Sequence, residues 1–278
     1  MSASASVESS DASAPELIYT SHLPGTAPPF AEALAALRTY LFDATLFNCK
    51  AYTALHDYKE CESAAMDERK ANGTWIGVHK HLDAMLGWDE YEDSEDNAPR
   101  TASGWGRQWG SLVHTELSTL ATQIELRNAA ELVQPLTRWL VRYLAHRDWI
   151  ACGADVPIWS FDNCSTCTEA DLVVLDRAAE RLIVIELKTG YEDDVAYEKR
   201  PDSRPIDPAG FPNNARWRHQ HQLAWMVHHL RKRLPANVRV DGCVLRASHA
   251  RGVLAPEWLD ERLLGHYERT YAVAASEK

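Results

Sequence analysis

The chain has 278 residues, of which 45% are hydrophobic and 25% charged, with a formal net charge of −11. These values fit a globular fold built as one large domain, or as a core with an added helical part. They exclude a uniformly basic nucleic-acid binder, and no apolar run is long enough to span a bilayer as a helix.

The first residues, MSASASVESSDASAPE, lack the basic start and apolar middle of a signal peptide and read as a disordered tail over 1–28. From about 30 to 70 the apolar spacing is helical with few breakers, and TWIGVHKHLDAMLGW, 74–88, reads as another helix. WDEYEDSEDNAPRTASG, 88–104, is an acidic stretch ending in Pro and Gly and reads as a solvated linker. Residues 29–100 are thus expected to form a helical accessory region with an acidic loop, ahead of a core over 101–278.

The core opens with a helix over 106–128, striped by Trp109, Leu112, Val113, Leu117, Leu120 and Ile124. A second helix covers about 130–147, and residues 149–161 alternate as a strand. ADLVVLD and RLIVIELK are two further strands joined by a turn at RAAE. A polar, Pro-rich loop covers 191–215, a basic amphipathic helix 215–234, a strand 238–249 and a closing helix about 256–271. This order predicts an α/β fold with a mixed central sheet flanked by helices.

Six cysteines, Cys49, Cys61, Cys152, Cys164, Cys167 and Cys243, form no disulfide framework, which points to an intracellular setting in cytoplasm or nucleus. Cys164 and Cys167 make one CxxC with no second pair to complete a zinc site, so a structural loop is the favoured reading.

Charge is unevenly placed. Residues 1–198 hold 15 Lys/Arg against 32 Asp/Glu, whereas 199–251 hold 11 against 3, with five histidines among them. A local basic surface can hold a polyanion even on an acidic protein.

Two apolar strands carry acids. Asp171 precedes LVVL, and LIVI runs into Glu186, Leu187 and Lys188. Side chains alternate along a strand, so Glu186 and Lys188 share a face and Leu187 points to the other. Hairpin pairing brings Asp171 to the end of the next strand. An isolated ExK is ordinarily a weak surface pair. Here the run before it reads as a strand buried on both faces, where charges are costly unless paired or bound to metal. Two carboxylates suit Mg²⁺ or Mn²⁺, and a neighbouring lysine suits an attacking water or a developing negative charge.

Asp171, fourteen intervening residues, then Glu186-Leu187-Lys188-Thr189-Gly190 resembles the PD-(D/E)XK nuclease superfamily, most of all its RecB-like branch with lambda exonuclease as a cousin. GSLVHTEL resembles that branch's upstream glycine and histidine motif and maps its metal-binding histidine onto His114. The following helix supplies Gln222, but Met226 stands where the branch has a tyrosine, and Ala170 stands where the superfamily's name has proline. The likeness covers about 106–249.

The resemblance implies a restriction-endonuclease-like core and a Mg²⁺- or Mn²⁺-dependent deoxyribonuclease, by expectation an exonuclease in recombination, repair or replication of a viral or mobile genome. Asp171, Glu186, His114 and the main-chain carbonyl of Leu187 would hold the metal, and Lys188 would position the water. Gln222 and Arg218, with Arg216 at the helix start, would contact DNA. Arg231, Lys232 and Arg233 fit either phosphate contacts or the macrodipole at a helix C-terminus. Asp155 is a further acidic candidate, although an acid at a strand start is common. Glu116 and Glu169 read as solvated, and Trp217 and Trp225 as core. Cys243 is the only cysteine after Lys188, so no iron–sulfur cluster is implied. The partners implied are DNA and a single-strand-annealing protein or helicase, with no membrane; a ring-shaped oligomer, as in the lambda cousin, would imply processivity. The alternative class is a non-catalytic nucleic-acid-binding scaffold on the same fold.

Overall fold

The computed structural model describes residues 49–72, 76–86, 110–117, 135–160, 166–189, 210–248, 252–253 and 255–276. The expected tail, the acidic stretch, Cys164, Gly190 and the loop 191–209 lie outside the described residues, as do Trp109, Leu120 and Ile124.

In chain order the elements are α1 (Lys50–Asn72), β1 (Ile76–Gly77), α2 (Val78–Leu86), α3 (helical residues 110–117), α4 (Pro135–His146), β2 (Trp149–Trp159), β3 (Thr166–Asp176), β4 (Arg181–Thr189), α5 (Ala215–Arg233), β5 (Arg239–Ser248), β6 (Gly252–Val253), β7 (Glu257–Trp258) and α6 (Glu261–Ser276). The strands form one mixed sheet. The path runs β1-β3-β4-β5-β6, with β2 paired to β3 and β7 to β5. This is the expected α/β architecture, a mixed sheet flanked by helices. Where it is described, over 76–86, the expected helix 74–88 is not a single helix: Ile76 and Gly77 pair in parallel with Thr166 and Cys167 before α2 begins.

β4 sits at the centre. Leu182, Ile183, Val184 and Ile185 are all fully buried. Leu182 and Val184 face one apolar layer, and Ile183 and Ile185 the other. That two-sided burial is what an unbroken aliphatic run requires. Antiparallel β3 and β4 meet through a short turn in which Asp176 accepts from the Ala179 N–H at 3.1 Å and from Arg181 Nε at 3.1 Å. β4 and β5 are parallel, so the chain must cross over between them, and α5 makes the crossing. Asn214 caps α5, its side chain accepting from the Trp217 N–H at 3.0 Å.

α1 and α2 place Tyr52, Leu55, Tyr58, Val78, Leu82 and Leu86 in the same apolar layer as β4 and α5. On the opposite side, α3 and α4 contribute Val113, Leu117, Leu136 and Leu140. Leu112 is 47% exposed, so the expected apolar stripe of this helix is narrower where it is described.

α5 corrects the expectation of an amphipathic surface helix. Every residue from Arg218 to Leu230 is buried. Trp225 is core and Trp217 packs against it. The helix is polar yet enclosed, and several of its polar groups take partners inside the protein. His221 Nδ1 is 3.0 Å from the Tyr267 hydroxyl, and Gln220 donates to Glu257 and accepts from the Asp260 N–H. Among the described residues, no helix is long and apolar enough to cross a membrane.

Candidate active site

The register of the sheet brings the acids together. Leu172 pairs with Ile185 on β4, so the next step outward sets Asp171 opposite Glu186. Ala154 pairs with Leu172 and Val156 with Ala170, which sets Asp155 opposite Asp171 on the other side. Asp155 has φ 49, a left-handed conformation that aspartate tolerates better than most residues. Three neighbouring strands therefore each bring one carboxylate to one row across the sheet, midway along β2 and β3 and near the end of β4.

His114 joins them from α3. Its Nε2 lies 3.1 Å from Asp155 Oδ1 and 3.3 Å from Asp171 Oδ1. The nitrogen is buried, yet neither contact has the alignment of a hydrogen bond. The other Asp171 oxygen, Oδ2, accepts from the Leu187 N–H at 2.7 Å, which fixes the carboxylate's orientation. Lys188 Nζ lies 2.6 Å from Glu186 Oε1, while Glu186 Oε2 is buried with no hydrogen-bond partner. α3 approaches closely because Gly110 has no side chain: a Cβ there would stand 2.7 Å from Thr189 Oγ1.

Electrostatics follow from this packing. Burial pushes the Glu186 carboxyl up to about 7, against the pull of Lys188, and the charge of Asp171 adds to the rise. The Asp171 carboxylate beside His114 raises the imidazole above its usual range despite burial, with further help from Asp155 and Glu169.

Several residues at the site escaped the sequence reading. Arg246 is the register partner of Lys188 on β5. His219 is held well below its usual range first by burial, then by Lys188, His79, Arg218 and Arg246. His79 is lowered by burial and then by Lys188. Lys188 and Arg246 thus have two neutral histidines close to them. This grouping draws on α2, β4, α5 and β5, whose sequence separation hides it. No motif spacing signals it.

Of the residues expected to contact DNA, both arginines form ion pairs within the protein. Arg218 Nη1 lies 2.7 Å from Asp83 Oδ1, with both side chains about nine-tenths buried. Its Nε donates to Asn213 Oδ1 at 2.9 Å. Arg216 Nε lies 2.6 Å from Glu257 Oε1. Gln222 is buried, with Oε1 lacking a hydrogen-bond donor, and Met226 is core. Arg231 pairs with Asp241 and Glu268, and Arg233 with Glu62.

The donor set suits a hard divalent ion. Octahedral ligands at about 2.1 Å from an ion stand about 3.0 Å from one another. The spacings of His114 Nε2 to the two aspartates are of that size. Glu186 Oε2, buried with no hydrogen-bond partner, is the orphaned atom such an ion would satisfy, and His114 Nε2 makes no aligned hydrogen bond to the aspartates beside it. Among the described residues, no three His, Cys, Asp or Glu side chains are arranged around one point as a finished metal site. The imidazole itself stands between the two carboxylates.

No protein-family model matches the chain, and no curated protein is similar to it at a significant level.

Proposed function

We propose that this protein is a Mg²⁺- or Mn²⁺-dependent DNA nuclease with a PD-(D/E)XK-type core. The observation that carries the reading is the convergence of Asp155, Asp171, Glu186 and His114 in one row across β2, β3 and β4, with Lys188 held against Glu186. Asp171, Glu186, His114, Asp155 and the Leu187 carbonyl would hold the ion. When bound, the ion lowers the pKa of a water and polarises a phosphoryl oxygen. The Leu187 N–H keeps the Asp171 carboxylate turned as a ligand. Glu186, enclosed and strongly basic for a carboxylate, gains most by meeting a cation. Lys188 stands at the rim of the acidic cluster, 23% exposed, where its ammonium can orient the attacking water or offset charge on the phosphorane. Arg246 adds positive charge on the same face for the phosphate. Exonuclease action in recombination, repair or replication rests on the resemblance of ELKTG and of Gly110 to His114.

The test is degradation of end-labelled linear and closed circular DNA in Mg²⁺, Mn²⁺ or EDTA, with Lys188→Ala and Asp171→Ala as controls. Metal-dependent loss of linear DNA alone, abolished in both variants, is the expected result. Cleavage of circles would make the protein an endonuclease. Absence of cleavage with salt-dependent DNA affinity would favour the scaffold alternative instead.

A further inference from the structure

α1 lays Lys59 across β2 at a point where the strand is doubly distorted. Ala151 pairs with Val174 and Gly153 with Val173, so the ladder shifts by one residue there. Gly153 leaves room for the lysine: a Cβ at that position would stand 2.8 Å from Lys59 Nζ and 3.0 Å from its Cδ. Two residues further on, Asp155 takes its left-handed conformation. The neighbouring Tyr58 fastens the helix in place, its hydroxyl donating to the Pro157 carbonyl at 2.7 Å. The register of α1 on β2 is therefore pinned, and the Lys59 ammonium is delivered next to the acidic cluster.

Lys59 is partly buried, and burial lowers its pKa, with Asp155 the carboxylate that opposes the shift. Asp155 itself is engaged with His114. No described carboxylate forms an ion pair with Lys59. Removing an ammonium from water without a counter-ion is unfavourable, and a methionine or leucine would fill this channel more stably. The bulge and the glycine are local departures from a regular strand as well. Packing alone explains none of the three.

We propose that Lys59 is a phosphate-binding residue: its ammonium contacts the backbone of a nucleic-acid strand on the β2 side of Asp155, so that α1 forms a wall of the strand's path. This rests on the nucleic-acid reading of the site above. The accessory helix then contributes to substrate binding directly, opposite the cationic residues of β4 and β5.

The experiment measures binding of a short fluorescein-labelled DNA duplex to the full chain by anisotropy, across a salt series, with Ca²⁺ replacing Mg²⁺. Lys59→Met keeps the stem and removes the charge, and Lys59→Arg keeps the charge. Each phosphate contact contributes about 0.9 to the slope of log affinity against log salt. Lys59→Met is expected to reduce that slope by about 0.9 and Lys59→Arg to retain it. The urea midpoint of Lys59→Met is expected to equal or exceed that of wild type. A wild-type slope in Lys59→Met overturns the proposal and leaves the nuclease reading standing. A loss of stability parallel to the loss of binding also overturns it, since the lysine would then be structural. Wild-type protein with no salt-dependent affinity removes both readings together.

Discussion

The Asp171 side chain accepts the backbone N–H of Leu187 at 2.7 Å, linking the middle of β3 to the end of β4. One carboxylate thus has two tasks, since its other oxygen faces His114. Asp171→Asn keeps an oxygen that accepts from Leu187 but loses the charge. Asp171→Ala loses both and leaves the N–H without its acceptor, at a cost of about 1–3 kcal/mol. Both variants are expected to lose nuclease activity, while only Asp171→Ala loses stability in urea titration. Equal stability of the two would show that the hydrogen bond contributes nothing to the fold.

Gly110 and Thr189 provide a coupled pair. Gly110→Ala sets a methyl against Thr189 Oγ1, and the strain is expected to lift α3 from β4 and carry His114 with it. Alanine is also the better helix former by about 1 kcal/mol, so global stability should change little while activity falls. Thr189→Ala removes the obstructing oxygen. The double variant Gly110→Ala/Thr189→Ala is therefore expected to recover activity lost by Gly110→Ala alone. Additive losses in that double-mutant cycle would disprove the coupling.

The pattern of legibility in the sequence has physical causes. β4 was readable because four consecutive aliphatic residues need apolar cover on both faces, and Asp171 and Glu186 could be matched because hairpin register follows from strand direction. α5 was misread. Its composition is that of a wet helix, but Arg218, Gln220 and His221 find partners in Asp83, Glu257 and Tyr267, which lie far away in the chain. Periodicity records where apolar groups fall and says nothing of distant polar partners. For the same reason Arg246, His79 and His219 were invisible, and Asp155, a further acidic candidate in the sequence, gains its place from its register and its contact with His114.

The buried Arg218–Asp83 pair predicts a stability effect where a DNA contact was expected. Removing one partner leaves the other charge enclosed, which costs about 3–5 kcal/mol. Arg218→Met and Asp83→Leu are each expected to shift the urea midpoint strongly, and the double variant to be milder than either. A native-like midpoint in Arg218→Met with weakened DNA binding would instead restore the arginine to the DNA-contacting set.

Stability should fall in acid. His219 and His229 are buried with depressed pKa values, His229 down to about 3, chiefly through burial. Below the usual 6.5 the unfolded chain binds protons that the folded chain refuses. Each such histidine therefore contributes stability that is present above 6.5 and is lost as pH falls, by about 1.4 kcal/mol per pH unit and proton. Glu186 acts in the opposite sense. Its folded pKa is raised from 4.5 to about 7, so in that window the folded state binds the extra proton and stability declines as pH rises. Replacing Glu186 with Gln removes the opposing contribution. Urea titrations from pH 7 to pH 5 should show wild type weakening and Glu186→Gln weakening more steeply. A shallower acid loss in Glu186→Gln would mean that its carboxyl is not enclosed.

Divalent ions should stabilise the protein most at alkaline pH. Ion binding requires a neutral His114 and a charged Glu186, and both groups hold their protons to higher pH than usual. Glu186 gives up its proton around pH 7 and His114 holds its own above the usual range, so affinity for Mn²⁺ rises with pH through that region. At a concentration of 100 Kd the ion would add about 2.7 kcal/mol to unfolding, read as a rise in Tm. Wild type is expected to show a larger Mn²⁺-induced rise at pH 8 than at pH 6, and Asp171→Ala to show little at either. Asp155→Asn should fall between them, since it withdraws one charge while His114, Asp171 and Glu186 remain. A rise of equal size at both pH values, retained in Asp171→Ala, would place the ion elsewhere on the acidic surface and remove the metal reading of this site.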